Sequence, residues 1–431
     1  MKTVLGPLIL VTLVLDFAVP GAQAGLEPGE IVDSTNFQEI EGLVPDYIVT
    51  WVKNGDMVMK LGKRNYDAAR FWSQEVLDNW EGNIGRFEID EHNGLIDKAT
   101  GKPARGVKGF PFPEPDSNDP KVPIMLLWNV LFREAFLQGN THAQFFWYSF
   151  RRGGLEKVFA MENRYLTLDP AKSEMDYAQL SVFRQPFSMA NTGTLVIYPL
   201  YPLGQGVRFA YAPELRKVKR LSHRLAGSDT HFGLDAAPDD SWSGGPKTNF
   251  DEGRYRFIDE RDALVPVFLE DPRRMEWNEK GELEVGYDKT GTKIEMGYET
   301  KGWKGAPWHV TNIVWVKSRV YVFESKSTAV GYAYGPGEGW VEKGTFAQIY
   351  KRIVDPNGEL WKGFYWPVTA FQSADGKYRL VDNAGQVVVD MRRDHGSTYP
   401  NAYREGGFKR ILIQKPNEEL FTQSGFVKLC Q

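Results

Sequence analysis

The chain has 431 residues, 42% hydrophobic and 13% aromatic, with 13 Trp and a formal net charge of −4. That near-balance of charge gives no field favouring nucleic acid or an anionic membrane. One cysteine, Cys430, excludes an internal disulfide and, next to the C-terminus, reads as a frayed, incidental thiol. The first residues read as a secretory signal over 1–24. Lys2 opens it, Val4 to Val19 is an apolar run broken mainly by Gly6, Pro7 and Asp16, and Ala22-Gln23-Ala24 supplies small residues for cleavage. The apolar core is shorter than the ~20 residues of a membrane span. A mature protein of 431 − 24 = 407 residues is expected, starting near Gly25, periplasmic and not lipid-anchored. It is taken as one domain over 25–431, helical or mixed to about 140 and an antiparallel meander from 141.

Pro45 is placed to open a helix, followed by Ile48, Val49 and Val52 at helical spacing and ended by Gly55. A second helix is predicted from about Tyr66 to Trp80, with Ala68, Phe71, Trp72, Val76 and Trp80 on one face. Asp119-Pro120 signals a third, striped by Ile124, Leu127, Trp128 and Leu131. Between the last two, Gly109-Phe110-Pro111-Phe112-Pro113 is an extended segment. From Thr141 onward, aromatic and β-branched runs recur with short turns. They are His142–Phe150, Leu180–Phe187, Thr194–Tyr201, Val207–Tyr211, His309–Val316, Arg319–Ser325, Phe346–Val354 and Leu360–Trp366. Asp355-Pro356-Asn357-Gly358 is a strong turn signal, and a second hairpin is predicted across Asp382-Asn383-Ala384-Gly385. Residues 227–253, rich in Gly, Pro, Ser and Asp, read as a long loop. The fold class is mainly β with α: a large incomplete antiparallel β-barrel, a curled sheet, with the N-terminal helices on its concave side. Two packed sheets with a filled core fit the same pattern.

Arg216, Lys217, Lys219 and Arg220, with Arg224 behind, form the densest basic run. It suits an anionic group or an acidic partner, but a five-residue run is weak evidence and the favoured reading is an edge strand guarded by charge. His223, Asp229, His231, Asp235, Asp239 and Asp240 gather near the long loop. They are the residue types of a divalent-metal site, but polar loops collect such residues anyway, and no metal or cofactor is assigned. No Gly-x-Ser-x-Gly elbow, phosphate loop or dinucleotide fingerprint occurs, so no catalytic residue is assigned. The acid pairs Asp251-Glu252 and Asp259-Glu260 point to opposite faces of a strand and read as surface charge.

Leu26-Glu27-Pro28-Gly29, Leu43-Val44-Pro45, Trp51 to Asp56, Gly109 to Pro113, Asp119-Pro120 and Trp128-Asn129 carry a family resemblance, continued by Pro213 to Leu221, Arg319 to Glu324 and Asn357 to Lys362. Together they resemble an exported Gram-negative family of unknown function labelled outer-membrane lipoprotein-sorting-like. That resemblance implies a lipoprotein-carrier-like fold: an incomplete barrel plugged by helices, moving acyl chains or another hydrophobic molecule across the periplasm. It also implies partnership with an inner-membrane exporter or an outer-membrane protein. The resulting expectation is a carrier whose pocket draws on strand residues such as Phe146, Tyr148, Tyr198, Val314 and Tyr321, each as apt by alternation to face outward. An envelope hydrolase with unidentified acids and a non-carrying structural accessory of an exporter are the other readings.

Overall fold

The computed structural model describes residues 26–63, 71–134, 139–169, 171–202, 206–221, 234–237, 240, 253–327 and 332–431. The signal segment 1–24 and most of the long loop lie outside these residues. The first strands are short: β1 (Ile31–Val32) pairs with β2 (Met59–Lys60), and β3 (Phe87–Ile89), β4 (Leu95–Asp97) and β5 (Lys102–Pro103) form a small sheet. Among and after them come α1 (Asp46–Lys53), α2 (Gln74–Asn83) and α3 (Val122–Arg133).

Pro45 stands at the N-cap of α1, and Gly55 follows its end with φ +76°. The second helix starts later than the spacing predicts. Ser73 stands at its N-cap position, Phe71 and Trp72 are buried before it, and Ala68 lies outside the described residues. The third also starts later. The Asp119 carboxylate accepts the Lys121 N–H at 2.7 Å within a turn, and Pro123 lies in the first turn of α3. Ten of its twelve residues are buried, not one stripe alone. A helix apolar all round belongs inside a core. α3 touches the far end of the sheet and, at Val130 and Glu134, a cavity wall made by its opposite end, so the sheet encloses it. The Asn129 amide clamps the extended segment 109–113, accepting from Phe112 N at 3.0 Å and donating to Phe112 O at 2.6 Å.

Eighteen strands make one sheet. They are β6 (Thr141–Arg151), β7 (Gly154–Thr167), β8 (Met175–Gln185), β9 (Gly193–Pro199), β10 (Val207–Ala212), β11 (Lys217–Leu221), β12 (Gly253–Val267), β13 (Arg273–Trp277) and β14 (Leu283–Gly286). After the one-turn α4 (Tyr287–Thr290) come β15 (Val314–Ser327), β16 (Gly337–Glu342), β17 (Gln348–Val354), β18 (Leu360–Tyr365), β19 (Val368–Ser373), β20 (Arg379–Asn383), β21 (Gln386–Asp390), β22 (His395–Tyr399) and β23 (Phe408–Ile411). The chain ends in α5 (Gln423–Cys430).

The sheet is curled and not closed as a barrel. Among the described residues β11 pairs with β10 alone. From β11 the order runs antiparallel through β10, β9, β8 and β7 to β6. There the sheet forks. The C-terminal half of β6 pairs with β22 (Ser149 opposite Ser397), the N-terminal half with β23 (Ala143 opposite Lys409). One branch continues β22-β21-β18-β17-β16-β15-β12; the other runs β23-β14-β13-β19-β20. The branches touch again at one parallel pair, Val267 opposite Val368.

The turn over Asp355–Gly358 joins β17 to β18 as the sequence predicts, with Gly358 at φ +90°. The turn over Asp382–Gly385 is not a hairpin. β20 pairs with β19, while β21 pairs with β18 and β22, so this buried turn carries the chain from one branch to the other. The run from His309 becomes strand only at Val314. Before it, the Tyr365 hydroxyl sits 3.1 Å from His309 Nδ1 and accepts the Val310 N–H at 3.0 Å, so a side chain replaces a ladder partner. Gly363 on β18 is a required glycine: a Cβ there would stand 2.7 Å from the Tyr47 ring of α1.

Candidate functional site

At the fork lies a cavity of about 260 Å³. The register builds it rung by rung. Phe145, Met161 and Phe183 stand side by side on β6, β7 and β8. Two residues along come Ala143, Asn163, Ser181 and Thr194; two further, Thr141, Tyr165, Gln179, Val196 and Arg208. All of them line the cavity. Period-2 alternation puts the neighbouring residues on the other face. There Leu166, Ala178, Leu180, Val182 and Leu195 pack beneath α5 with Phe426 and Cys430.

The cavity therefore has two ends. Trp147 and Tyr399, stacked with centroids 5.2 Å apart, join the Phe145 rung at the apolar end. The other end is polar. Lys409 bonds Asp382; Arg133 lies 3.8 Å from Asp382 and donates to Glu134 at 3.0 Å. Burial pushes the Asp382 carboxyl up, but Lys409 and Arg133 outweigh it and hold it below the usual range. Burial dominates at Glu134 and leaves it above that range.

A short segment, Leu234 to Ala237 with Asp240, closes one wall. Leu234, Ala236 and Ala237 face the cavity, and two buried acids hold them there. Asp235 accepts from Ser397 Oγ at 2.6 Å and meets His395 Nδ1 at 2.6 Å. The Asp240 carboxylate accepts from Lys362 Nζ at 3.0 Å and from Ala237 N at 2.6 Å, while its carbonyl accepts from Lys351 Nζ at 2.9 Å. These two acids were metal candidates in the sequence, and the structure uses both in ion pairs. His223, Asp229, His231 and Asp239 lie outside the described residues. Among the described residues no three His, Cys, Asp or Glu groups converge as metal ligands would.

Ser149 Oγ lies 3.1 Å from His395 Nε2, so Ser149, His395 and Asp235 repeat the connectivity of a hydrolase triad. Their electrostatics differ from one. Glu156 takes the same Nε2 at 2.9 Å, and the hydrogen bond to Asp235 raises the imidazole above its ordinary value despite burial. The nitrogen that would take a serine proton is therefore also engaged by Glu156. His395 serves here as a tether for residue 235.

Of the five aromatic or aliphatic residues named from the strand runs, Tyr198 lines the cavity. Phe146 and Tyr148 sit on the opposite face of β6, one residue out of phase with Phe145 and Trp147. Tyr148 there accepts from Arg404 Nε at 3.1 Å. Val314 and Tyr321 belong to β15, in the main core. Arg216, Lys217, Lys219 and Arg220 are exposed on or beside the edge strand β11. Asp259 pairs with Arg261, and Glu260 with Lys343 and Arg319. Sequence reasoning missed Asn163, Ser181, Gln386, Asp382 and Lys409. The available signal was polar residues at period two inside aromatic strands, as in Met161-Glu162-Asn163-Arg164-Tyr165.

A family model described as "Protein of unknown function (DUF1329)" matches residues 31–425. The chain belongs to that family. Solved structures similar to this DUF1329 chain include a candidate outer membrane lipoprotein-sorting protein domain from Vibrio parahaemolyticus, 15% identical over 71% of this chain and 97% of that one, TM-score 0.45. A DUF1329 family protein from Desulfovibrio piger is 14% identical over 72% and 99%, TM-score 0.45. A LolA superfamily protein from Nitrosomonas europaea is 10% identical over 69% and 97%, TM-score 0.36. No curated protein matches the DUF1329 chain. Among its described residues no helix is long and apolar enough to cross a membrane.

Proposed function

We propose that this protein is an exported periplasmic carrier that shields a lipid-like hydrophobic ligand in the cavity at the fork and hands it to an exporter or an outer-membrane partner. The observation that supports this reading is the open, aromatic-ended cavity at the fork. Protein interiors are close-packed, so space of this size lined by Phe145, Trp147, Phe183 and Tyr399 is a feature to be explained. Burying a methylene gains about 0.8 kcal/mol, so a chain of about ten carbons offers roughly 8 kcal/mol before the costs of association. Transport of this kind needs a cavity and a handover, and no chemistry.

The test is binding by the mature protein of a dye that fluoresces in apolar surroundings, displaced by a long-chain lipid. Ser181 is small, only partly buried and on the cavity wall. Ser181→Leu should fill the space and weaken dye binding at least tenfold without lowering the melting temperature. A wild-type protein that binds no dye, or a Ser181→Leu protein that binds it unchanged, would point to the accessory role instead.

A further inference from the structure

The polar end of the cavity specifies more than the carrier reading requires. At that end Arg133 and Lys409 are paired with Glu134 and Asp382. Three neutral amides each leave one atom unmatched. Asn163 Oδ1, Asn383 Oδ1 and Gln386 Nε2 are buried with no hydrogen-bond partner, and all three residues line the cavity. Asn163 and Gln386 are only 8% and 6% exposed. An unmatched buried polar atom costs roughly 1–3 kcal/mol, and native proteins leave few of them. Three in one cavity, two acceptors and a donor, mark where a guest's polar atoms belong.

Resting on the carrier reading above, we infer that the ligand is a single-chain amphiphile with an uncharged head that both donates and accepts hydrogen bonds, a hydroxyl or carboxamide. The head sits against Asn163 and Gln386, and the chain lies along the Phe145–Phe183 rung towards Trp147. Such a head also meets either amide turned end for end. A charged head would enter a set of ion pairs already balanced and find no counter-charge among them, which carries a large desolvation cost. Arg208, partly exposed on β10, is the cation an anionic head would use instead. A cavity of ~150 Å³ takes a benzene ring. On that scale about 260 Å³ takes a chain of about ten heavy atoms.

The experiment compares decane, 1-decanol and decanoate as competitors for the bound dye on the mature protein. Expected is 1-decanol binding at least tenfold tighter than either of the others. In the Asn163→Leu/Gln386→Leu double variant, that preference over decane should fall to threefold or less while decane binds at least as well as before. Gln386→Leu alone should not lower the melting temperature, because an atom unmatched in the free protein is replaced by an apolar one; Asn163→Leu also removes a side-chain bond to Tyr165. If the double variant does not fold, Gln386→Met alone should lose at least half of the preference. Equal binding of decane and 1-decanol would overturn the head-group inference and leave the carrier reading standing. Decanoate binding tightest would overturn it in favour of an anionic head at Arg208. Binding of none of the three would remove both.

Discussion

His395 is the residue through which pH acts on the cavity wall. It is 2% exposed, with Asp235 on one ring nitrogen and Glu156 and Ser149 on the other. The hydrogen bond to Asp235 raises its pKa first, burial opposes, and the Asp235 charge and Glu156 hydrogen bond add to the rise. A raised histidine contributes stability that is fully present below its unfolded value of about 6.5 and is lost as pH climbs through the higher folded value. Glu156 has the opposite sign. Lowered chiefly by its bond from His395, it contributes above the ordinary carboxylate range and loses that as pH falls through its folded value. Both contributions are thus in place near pH 6. His395→Gln should lower the denaturation midpoint most near pH 6, with the gap to wild type narrowing towards pH 9. A gap independent of pH would mean that His395 is not held as a cation. This site was illegible in the sequence for a physical reason. Its groups lie 160 and 239 residues apart, and only the sheet register brings them together. Asp235 was singled out, but as a metal candidate, because acid content is visible in a loop and the partner of each acid is not.

At the scale of elements, the meander was legible where strands are aromatic and β-branched, as in β6, β9 and β18. It was not where charge interrupts the pattern. β12 carries Asp259, Glu260, Arg261 and Asp262 in succession, yet it pairs with β15 over its whole length. Its surface ion pairs satisfy those side chains while the backbone stays in the ladder. The phase of β6 was equally hidden: both faces are aromatic, so alternation alone does not say which one meets the cavity. The C-terminal element was misread. Cys430 is not on a frayed end. It closes α5, whose N-cap Thr422 accepts the Gly425 N–H at 3.1 Å, and it packs with Phe426 against β7, β8 and β9. Burial pushes its thiol up to about 12, against an ordinary 9.0. The thiolate is the reactive form, so its fraction falls roughly a thousandfold, and burial blocks access as well. A thiol reagent should leave the native protein unmodified for hours and label one equivalent in denaturant. Labelling of native protein at the rate of a free thiol would show that α5 is undocked.

The whole molecule is held by one dominant apolar cluster, which runs from Leu26 in the N-terminal segment to Ile411 in β23. Strands of both branches contribute to it, as do α1 and α3, so the two branches share it. Filling α3 on all sides illustrates the dependence. Each buried Leu, Ile or Val gains about 1.5–3 kcal/mol, and α3 collects that from both ends of a sheet that must already be curled around it. The fork at β6 adds a covalent argument, because a single strand serves both branches and neither can leave without breaking half of its ladder. We therefore propose that the described residues form one folding unit. Trp51, Trp72, Trp128, Trp308, Trp315 and Trp340 all sit in the shared cluster, so their fluorescence reports the core while far-ultraviolet circular dichroism reports the sheet. In guanidinium chloride the two signals should give one coincident transition, as a two-state unit requires. Two separated midpoints, with the tryptophan signal moving first, would show that the branches unfold independently and that the core is divided between them.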